Sequence, residues 1–321
     1  MGLSSDASQI IQYLKQQKIR WLVHWTCIDN LPMIRKFGGL ASKEVLERNG
    51  CWPPPSPGGN QLSHDLDRTR GNWNLISLSY TPYTPMAYHA KRQKHLCFFF
   101  INPRIAAVPG VYFTDRNATA NNHQRLPGIR GIRLVNFDAI RAIPRPSDRE
   151  GWHQPVQAEV LVPNVIPLAY IEQVAFVSRA SKAEAERLWQ TSDHPPFIIN
   201  RTYFADDQRK NSPINFSYLE DMTITSIPIN ENNYQNSFPN IYRFNRTTDS
   251  QVSLLAEVYS AGYAQGKVIW SFSTEVLETD FDTRNVWYHW PSLPLSKIPD
   301  GVHHVEYLID GKRWLRSEFE V

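Results

Sequence analysis

Four groups of polar residues in the first half of the chain carry side chains able to do chemistry. The first is His24-x-Thr26 followed by Asn30, where the apolar stretch 21–23 leads into a predicted helix. An imidazole, a hydroxyl and a carboxamide grouped at a strand–helix junction can hold a ligand. The same residue types also occur there as capping and structural residues. The arrangement alone leaves both interpretations open.

Three further candidates follow along the chain. Arg70 ends the stretch "SHDLDRTR", the segment "VYFTDRNA" covers residues 111–118, and Glu159 lies in "QAEVLV". Taken singly, the second reads as a turn, and a glutamate on a strand usually faces solvent. None of the three defines a site by itself.

Glu159 allows a more specific interpretation. Side chains alternate between the two faces of a strand, so Glu159 shares its face with Gln157 and Leu161. A carboxylate between an amide and an apolar side chain suits the wall of a partly apolar cleft. There it can accept hydrogen bonds from a sugar and stabilise a developing positive charge. The preceding polar, turn-rich stretch 143–156 is the expected substrate-facing loop.

The composition indicates a folded protein with two domains. The chain of 321 residues is long enough for two hydrophobic cores. Hydrophobic residues make up 41% of it and aromatic residues 12%, which is sufficient for folding. Residues 1–192 contain 23 Lys and Arg against 14 Asp and Glu, whereas residues 193–321 contain 11 against 17. A basic half joined to an acidic half predicts that only the first meets a polyanion, although two solvated surfaces would look the same.

Cysteine usage and hydropathy bear on the compartment. The three cysteines, Cys27, Cys51 and Cys97, follow no metal-binding spacing, so we expect no metal site. A sparse, odd set of thiols favours a reducing environment. No apolar run approaches the length of a membrane span, and the N-terminus lacks the pattern of a secretory signal. We therefore expect a cytoplasmic protein with no membrane partner.

The pattern of elements predicts an α+β fold. A helix over 6–18 precedes a strand at 20–24 and a helix from Leu31, for which Asp29 and Asn30 are candidate N-caps. The Pro- and Gly-rich stretch 51–61 predicts a long loop. Strands are predicted at 75–80, 95–102, 110–114, 132–137, 157–162 and 171–178. A closing helix over 181–189 begins with Ser181 and Glu184 in capping-box register.

A second region follows a predicted linker at 193–200. Residues 201–321 carry evenly spaced segments rich in β-formers and contain no group of reactive side chains. Asp310-Gly311 between two such segments is a strong hairpin signal. We expect an all-β, immunoglobulin-like sandwich that acts as an accessory domain, after a first domain over 1–192.

The order of the motifs resembles the DarT family of ADP-ribosyltransferases, NAD-dependent toxins that modify bases of single-stranded DNA. The resemblance covers about residues 20–190. It rests on "LVHWTCIDNLPMIRKFGGLAS", "DLDRTR", "LISLSYTPYTPMAY", "FTDRNA" and "QAEVLV". It implies a split-sheet ADP-ribosyltransferase domain with NAD as co-substrate. The short spacer after Arg70 and the additional residues 200–321 depart from the family pattern.

The resemblance also implies roles for individual residues. Glu159 and Arg70 would be catalytic, with Arg70 also contacting NAD. His24, Thr26, Asn30 and Tyr80 would complete the cofactor site. The acceptor nucleic acid would meet Asp115, Arg116, Asn117 and Trp152, with stacking on Trp52 or Trp73 as a further contribution.

Several functional alternatives remain at this stage. The leading hypothesis is a DNA-modifying toxin of a toxin–antitoxin or phage-defence system, with a cognate antitoxin as a possible partner. An RNA base is the closest alternative acceptor, because of the additional domain and the altered loops. Transfer to a protein side chain and a non-catalytic binding role are further alternatives.

Overall fold

A computed structural model describes residues 2–143, 153–209, 211–273, 275–284 and 287–321. The predicted acceptor residue Trp152 lies outside these ranges. The α-helices are α1 (Ala7–Gln16), α2 (Leu31–Lys36), α3 (Lys43–Arg48), α4 (Gln61–Thr69), α5 (Pro85–Gln93), α6 (Gly128–Ile132), α7 (Phe137–Arg141) and α8 (Arg179–Trp189). None of these helices combines the length and apolar character that a membrane span requires.

The chain divides into two compact units. The first unit comprises residues up to 91, 96–176 and 188–213, and the second comprises 92–95, 177–187 and the residues from 214 onward. Strands of the first unit are β1 (Leu22–Cys27), β2 (Gly39–Ala41), β3 (Leu75–Ser79), β4 (Leu96–Ile101), β5 (Tyr112–Thr114), β6 (Arg125–Pro127), β7 (Glu159–Pro163), β8 (Val165–Pro167), β9 (Ile171–Phe176) and β10 (Phe197–Ile199).

The first unit is organised around one eight-stranded sheet. Its strand order is β10-β9-β4-β1-β3-β7-β5-β6, and β2 pairs separately with β8. Strand β4 is buried along its whole length, as its unbroken apolar sequence "LCFFFI" requires. Strand β10 lies within the stretch predicted as a linker and pairs in parallel with β9.

The sheet opens between two of its central strands. β1 pairs with β4 over six residues, from Leu22 to Cys27. It pairs with β3 only through Val23 and Ser79. β3 then pairs along its whole length with β7. The backbones of β1 and β3 therefore lose their ladder beyond Val23, which leaves room for side chains between them.

The second unit contains two antiparallel sheets. Its strands are β11 (Tyr218–Thr225), β12 (Gln251–Tyr259), β13 (Gln265–Ser271), β14 (Val276–Asp282), β15 (Tyr288–His289), β16 (Ser292–Pro294), β17 (Val302–Ile309) and β18 (Lys312–Glu320). One sheet has the order β11-β12-β15 with β16 also on β12, and the other has the order β14-β13-β17-β18. Tyr218 of one sheet packs against Trp314 of the other, with ring centroids 6.0 Å apart.

The predicted hairpin at Asp310-Gly311 is confirmed. Both residues adopt positive φ, 51° and 69°, which matches a two-residue turn of type I′ between β17 and β18. The strands predicted at 75–80, 95–102, 110–114, 157–162 and 171–178 are also present, shifted by a few residues at most.

Two local predictions are wrong. Residues 132–137 do not form a strand, because α6 ends at Ile132 and Asn136 caps α7 by accepting a hydrogen bond from the Ala139 N–H at 3.0 Å. The helix α8 begins at Arg179 rather than Ser181. Its capping side chain is Ser178, whose hydroxyl accepts from the Ser181 N–H at 3.1 Å. Over such short stretches, the spacing of apolar residues does not distinguish a helix from a strand.

Candidate active site

A cavity of about 250 Å³ lies where the sheet of the first unit opens. Its wall includes residues of β1, β3 and β7, together with the loops before α4 and after β5. His24, Thr26, Asn30, Asn117 and Glu159, all predicted site residues, line it. The strand separation thus brings together side chains that are up to 135 positions apart in the sequence.

His24 spans the gap between the two separated strands. Its Nδ1 lies 3.1 Å from the carbonyl oxygen of Ser77 on β3. A carbonyl only accepts, so Nδ1 carries the proton and Nε2 of the neutral ring is an acceptor. Burial lowers the pKa of His24, so the ring is neutral at pH 7.

Asn30 fastens the Pro-rich loop to the first strand. Its Oδ1 accepts from the Ser56 N–H at 2.9 Å, and its Nδ2 donates to the Ser56 carbonyl at 2.7 Å. The same Nδ2 donates to the Thr26 hydroxyl at 2.9 Å. The sequence predicted Asn30 as a candidate N-cap of α2. Its side chain does not cap that helix, because the contacts with Ser56 and Thr26 occupy the amide.

Glu159 has the most perturbed carboxylate of the cavity. Burial, and to a smaller extent the negative charge of Asp67, raise the pKa of Glu159 to about 7, although hydrogen bonds from the Ala118 N–H and the Ser77 side chain and the charge of Lys43 oppose that rise. The Ala118 N–H lies 2.7 Å from Oε2. Such a group gains or loses its charge easily near neutral pH, which is typical of functional carboxylates.

The two strongest sequence motifs contact each other at this point. Thr114, which ends β5, accepts a hydrogen bond from the Glu159 N–H at 3.0 Å through its hydroxyl. The same hydroxyl donates to the Arg116 carbonyl at 2.6 Å. Thr114 and Ala118 thus hold Glu159 by its main chain and its side chain, respectively. "FTDRNA" and "QAEVLV" are two parts of one arrangement.

The three predicted acceptor residues Asp115, Arg116 and Asn117 shape the loop after β5. Asp115 accepts from the Gln124 N–H at 2.7 Å, which closes the loop. Arg116 bonds to Asp115 and donates to Gln154 at 2.7 Å. Asn117 accepts from the Thr119 N–H at 2.8 Å and, unlike the other two, lines the cavity.

Arg70 lies beside the cavity rather than in its wall. As the C-cap residue of α4 it extends its guanidinium to the loop after β5. There it donates to the Ala120 carbonyl and, at 2.9 Å, to the Asn121 side chain. Ala118, whose N–H donates to Glu159, lies in the same loop as Ala120 and Asn121. The predicted partners Arg70 and Glu159 are therefore linked through the loop.

Tyr80 is not brought to the cavity. Its ring is buried against Phe137, with centroids 5.2 Å apart. Its hydroxyl has no hydrogen-bond partner among the described residues, and burial raises the pKa of Tyr80 well above its usual range. The position just after the end of β3 turns the side chain away from the opening.

Lys43 and Asp67 also line the cavity, although neither was a predicted site residue. Lys43 opens α3, Asp67 lies in α4, and the two form an ion pair. Of the two predicted stacking residues, Trp52 lines the cavity. The ring of Trp73 packs against the ring of Trp52, with centroids 5.0 Å apart. Helix packing places these residues together, which their separation in sequence could not reveal.

The comparison with protein families agrees with the sequence motifs. The pattern of the family described as ssDNA thymidine ADP-ribosyltransferase, DarT, matches residues 23–205, more than half of the chain. The chain has the split sheet and carboxylate-bearing cavity of an ADP-ribosyltransferase domain. It belongs to the DarT family, which confirms the prediction from the motifs.

Several relatives resemble the same region. A fusion protein of a DNA ADP-ribosyl transferase and a DNA ADP-ribosyl glycohydrolase from Thermosipho africanus is 26% identical over 196 residues. The match covers 58% of this chain and 50% of that protein, so the chain spans about half the length of this relative.

Solved relatives include DarT of Thermus sp. 2.9. Its complex with ADP-ribosylated ssDNA shares 18% identity at a TM-score of 0.47, covering 58% of this chain and 96% of that chain. Its complex with NAD+ shares 19% identity at a TM-score of 0.44, covering 58% and 98%. Thermosipho africanus DarTG with ADP-ribose shares 21% identity at a TM-score of 0.48, covering 59% and 52%.

Proposed function

We propose that the protein uses NAD as co-substrate and transfers ADP-ribose to a thymidine base of single-stranded DNA. The observation that carries this proposal is Glu159, a carboxylate with a pKa near 7, held by the Ala118 N–H in the wall of the cavity. Family membership provides the reaction class and the acceptor. The basic balance of residues 1–192 suits a polyanionic acceptor.

The reaction breaks the bond between nicotinamide and the ribose C1′. The electron pair of that bond leaves with nicotinamide, and positive charge develops on the sugar. A carboxylate fixed beside C1′ stabilises this charge more in the transition state than in the ground state. Binding of NAD, whose pyridinium ring is cationic, favours the ionised form of Glu159. The acceptor nitrogen then forms the new bond to C1′ and gives up its proton to a base.

His24, Thr26 and Asn30 are proposed to hold NAD. The Nε2 of His24 offers an acceptor, and the Thr26 hydroxyl offers a polar group on the same strand. Asn30 acts through Ser56, since its amide fixes the loop that covers one side of the cavity. Tyr80, by contrast, supports the site only through packing with Phe137.

We propose a positioning role for Arg70. Its guanidinium holds the Ala120 carbonyl, and the same loop presents the N–H of Ala118 to Glu159. Asp115, Arg116 and Asn117 are proposed to contact the acceptor strand from this loop; Trp152, the other predicted acceptor residue, lies outside the described residues. Loss of Arg70 is therefore expected to weaken the chemistry through Glu159.

The biological setting is proposed from the relatives. The Thermosipho protein joins a DNA ADP-ribosyl transferase and a DNA ADP-ribosyl glycohydrolase in one chain. A transferase paired with a glycohydrolase suits a toxin with a cognate antitoxin, including one used in phage defence. The free cysteines Cys27, Cys51 and Cys97 are consistent with the cytoplasm.

The second half is proposed to be an accessory domain. Two packed antiparallel sheets suit an immunoglobulin-like sandwich within residues 201–321, preceded by a junction at 193–200 and a catalytic domain over 1–192. Its acidic balance favours a protein partner over nucleic acid.

Labelled NAD tests the proposed function. The full chain is incubated with single-stranded DNA that contains or lacks thymidine, with RNA of matching sequence, and with protein extract. We expect label on thymidine-containing DNA, and label reduced by about 10² or more with Glu159→Gln. Label only on RNA, or only in nuclease-resistant protein, would refute the DNA assignment. Retention of label transfer by Glu159→Gln would refute the assigned role of the carboxylate.

A further inference from the structure

The cavity contains a second carboxylate in addition to Glu159. Of the described residues that line it, Asp67 and Glu159 are acidic and Lys43 is basic. The ammonium of Lys43 is bonded to Oδ2 of Asp67, and both side chains are partly accessible, at 23% and 17%. This pair comes from the facing helices α3 and α4, and the proposed roles of the motif residues do not use it.

The two carboxylates have different surroundings. Glu159 is held by the Ala118 N–H, and burial makes its ionisation costly. Asp67 instead faces the ammonium of Lys43, which holds its Oδ2. Among the described residues, its Oδ1 has no hydrogen-bond partner and is able to accept a proton. The ring of Trp73 lies 5.4 Å from the Lys43 nitrogen, within the range of a cation–π contact.

The transfer reaction requires a proton acceptor as well as a stabiliser of positive charge. When a base nitrogen that carries hydrogen attacks C1′, the N–H bond must break and its proton must leave. A carboxylate that already balances the charge on the sugar is poorly placed to take that proton. Enzymes commonly divide these two tasks between two carboxyl groups with different surroundings.

We propose that Asp67 is the general base of the transfer reaction and that Lys43 is its positioning residue. The inference rests on the proposed function. The C1′–nitrogen bond to nicotinamide breaks and its electron pair leaves with nicotinamide. The lone pair of the acceptor nitrogen forms the new bond to C1′. The proton of that nitrogen passes to Oδ1 of Asp67, while Glu159 keeps its charge beside the sugar.

Arg70, to which the family resemblance assigns a catalytic role, is the alternative group. Its guanidinium is engaged by Ala120 and Asn121 and lies outside the cavity wall. A guanidinium remains protonated at all ordinary pH values and cannot serve as a base without a large pKa shift. The Lys43–Asp67 pair supplies both a cation and a proton acceptor within the cavity itself.

The test compares Asp67→Asn with Asp65→Asn in the full chain. Asp65 lies on the same helix and is exposed, and among the described residues its carboxylate accepts only from the Gln61 side chain, at 2.8 Å. Three quantities are measured: the Kd of a non-hydrolysable NAD analogue, NAD breakdown without DNA, and label transfer to a thymidine oligonucleotide. For Asp67→Asn we expect transfer to fall by about 10² or more. The Kd should stay within about threefold, as for a base that does not bind the cofactor.

Two readouts separate a base from a merely structural residue. The residual transfer by Asp67→Asn should rise with pH in proportion to hydroxide, because solvent then takes the proton. Lys43→Arg should transfer nearly as well as the wild type, and Lys43→Gln about tenfold less. Equal transfer by the Asp67 and Asp65 variants would overturn the inference. So would a parallel loss of analogue binding and thermal stability in Asp67→Asn.

The outcome for the wild type keeps the two proposals distinguishable. Transfer to DNA by the wild type and by Asp67→Asn at the same rate refutes only the role of Asp67. Absence of transfer by the wild type to any DNA, together with NAD breakdown, refutes the proposed function.

Discussion

Two glutamates, one in each unit, show how differently the protein treats a carboxylate. Glu184 in α8 is fully buried and bonds to Arg187 at 2.6 Å, lies 3.3 Å from Arg313, and accepts from the Arg316 N–H at 3.1 Å. Glu159 has the Ala118 N–H as its close main-chain donor, and no arginine faces it among the described residues.

The difference teaches what each carboxylate is able to do. A carboxylate whose oxygens are already matched by guanidinium and amide donors gains little from a new positive charge. A carboxylate that is buried with few donors gains much when a cation forms beside it. In the first unit, Glu159 is such a carboxylate with few donors, at the point where the sheet opens. In the second unit, the oxygens of Glu184 already have their donors.

The largest expected effect comes from Glu159→Gln. ADP-ribose transfer should fall by about 10²–10³ because the developing charge on the sugar loses its partner. The fold should survive, since the glutamine oxygen can still accept from the Ala118 N–H. Steady-state transfer with labelled NAD measures the loss, and activity within about tenfold of wild type would contradict it.

The same variant should be more stable than the wild type above pH 7. The pKa of Glu159 is about 7 in the folded protein, against 4.5 for an ordinary glutamate. Between these values the folded state holds a proton that the unfolded state has lost, so stability falls as pH rises through this window. We expect a gain of about 1–3 kcal/mol for Glu159→Gln at pH 8 and none at pH 4. An equal change in melting temperature at both pH values would contradict this.

Glu184→Gln should show the opposite pattern. Removing the charge leaves Arg187 and Arg313 without their carboxylate, although both are about one-third exposed and can be hydrated. We expect a loss of about 2 kcal/mol in the free energy of unfolding, less than for a pair buried on both sides. NAD breakdown per folded molecule should change by less than about twofold. Urea unfolding and an activity assay on the same sample test both statements.

The pH dependence gives a smaller effect. At limiting NAD, kcat/KM reports groups of the free enzyme. With the pKa of Glu159 about 7, the ionised fraction falls from about one half at pH 7 to about one tenth at pH 6, so the rate should fall about fivefold. Burial lowers the pKa of His24, which moves its titration away from the upper part of this range. A flat profile between pH 6 and 8 would contradict the assignment.

The smallest expected effect is that of Tyr80→Phe. Loss of a buried hydroxyl that lacks a partner should leave stability unchanged or raise it by up to about 1 kcal/mol. Transfer should stay within about twofold if Tyr80 only packs against Phe137. A rise in the KM for NAD without a change in stability would instead support the cofactor contact predicted from the sequence.

The sequence was informative where residue type and order suffice. The strands that carry His24 and Glu159, and the family itself, could be predicted because short apolar runs are bounded by polar motifs. The direction of the Arg70 side chain could not, since a helix C-cap residue can turn either way. Lys43 and Asp67 meet through an ion pair between α3 and α4, for which no local sequence pattern exists. The prediction of a strand at 132–137 was wrong because Asn136 caps the helix α7 at this point.

The two hydrogen bonds that join Glu159 to Thr114 and Ala118 have a consequence for natural variation. The hydroxyl of Thr114 fixes the main chain of Glu159, and the N–H of Ala118 fixes its side chain. A change of loop length between positions 114 and 118 would therefore alter the acidity of a glutamate more than 40 positions away. Homologues should exchange these two segments together or not at all, and chimaeras that mix them should lose their pH optimum before they lose their fold.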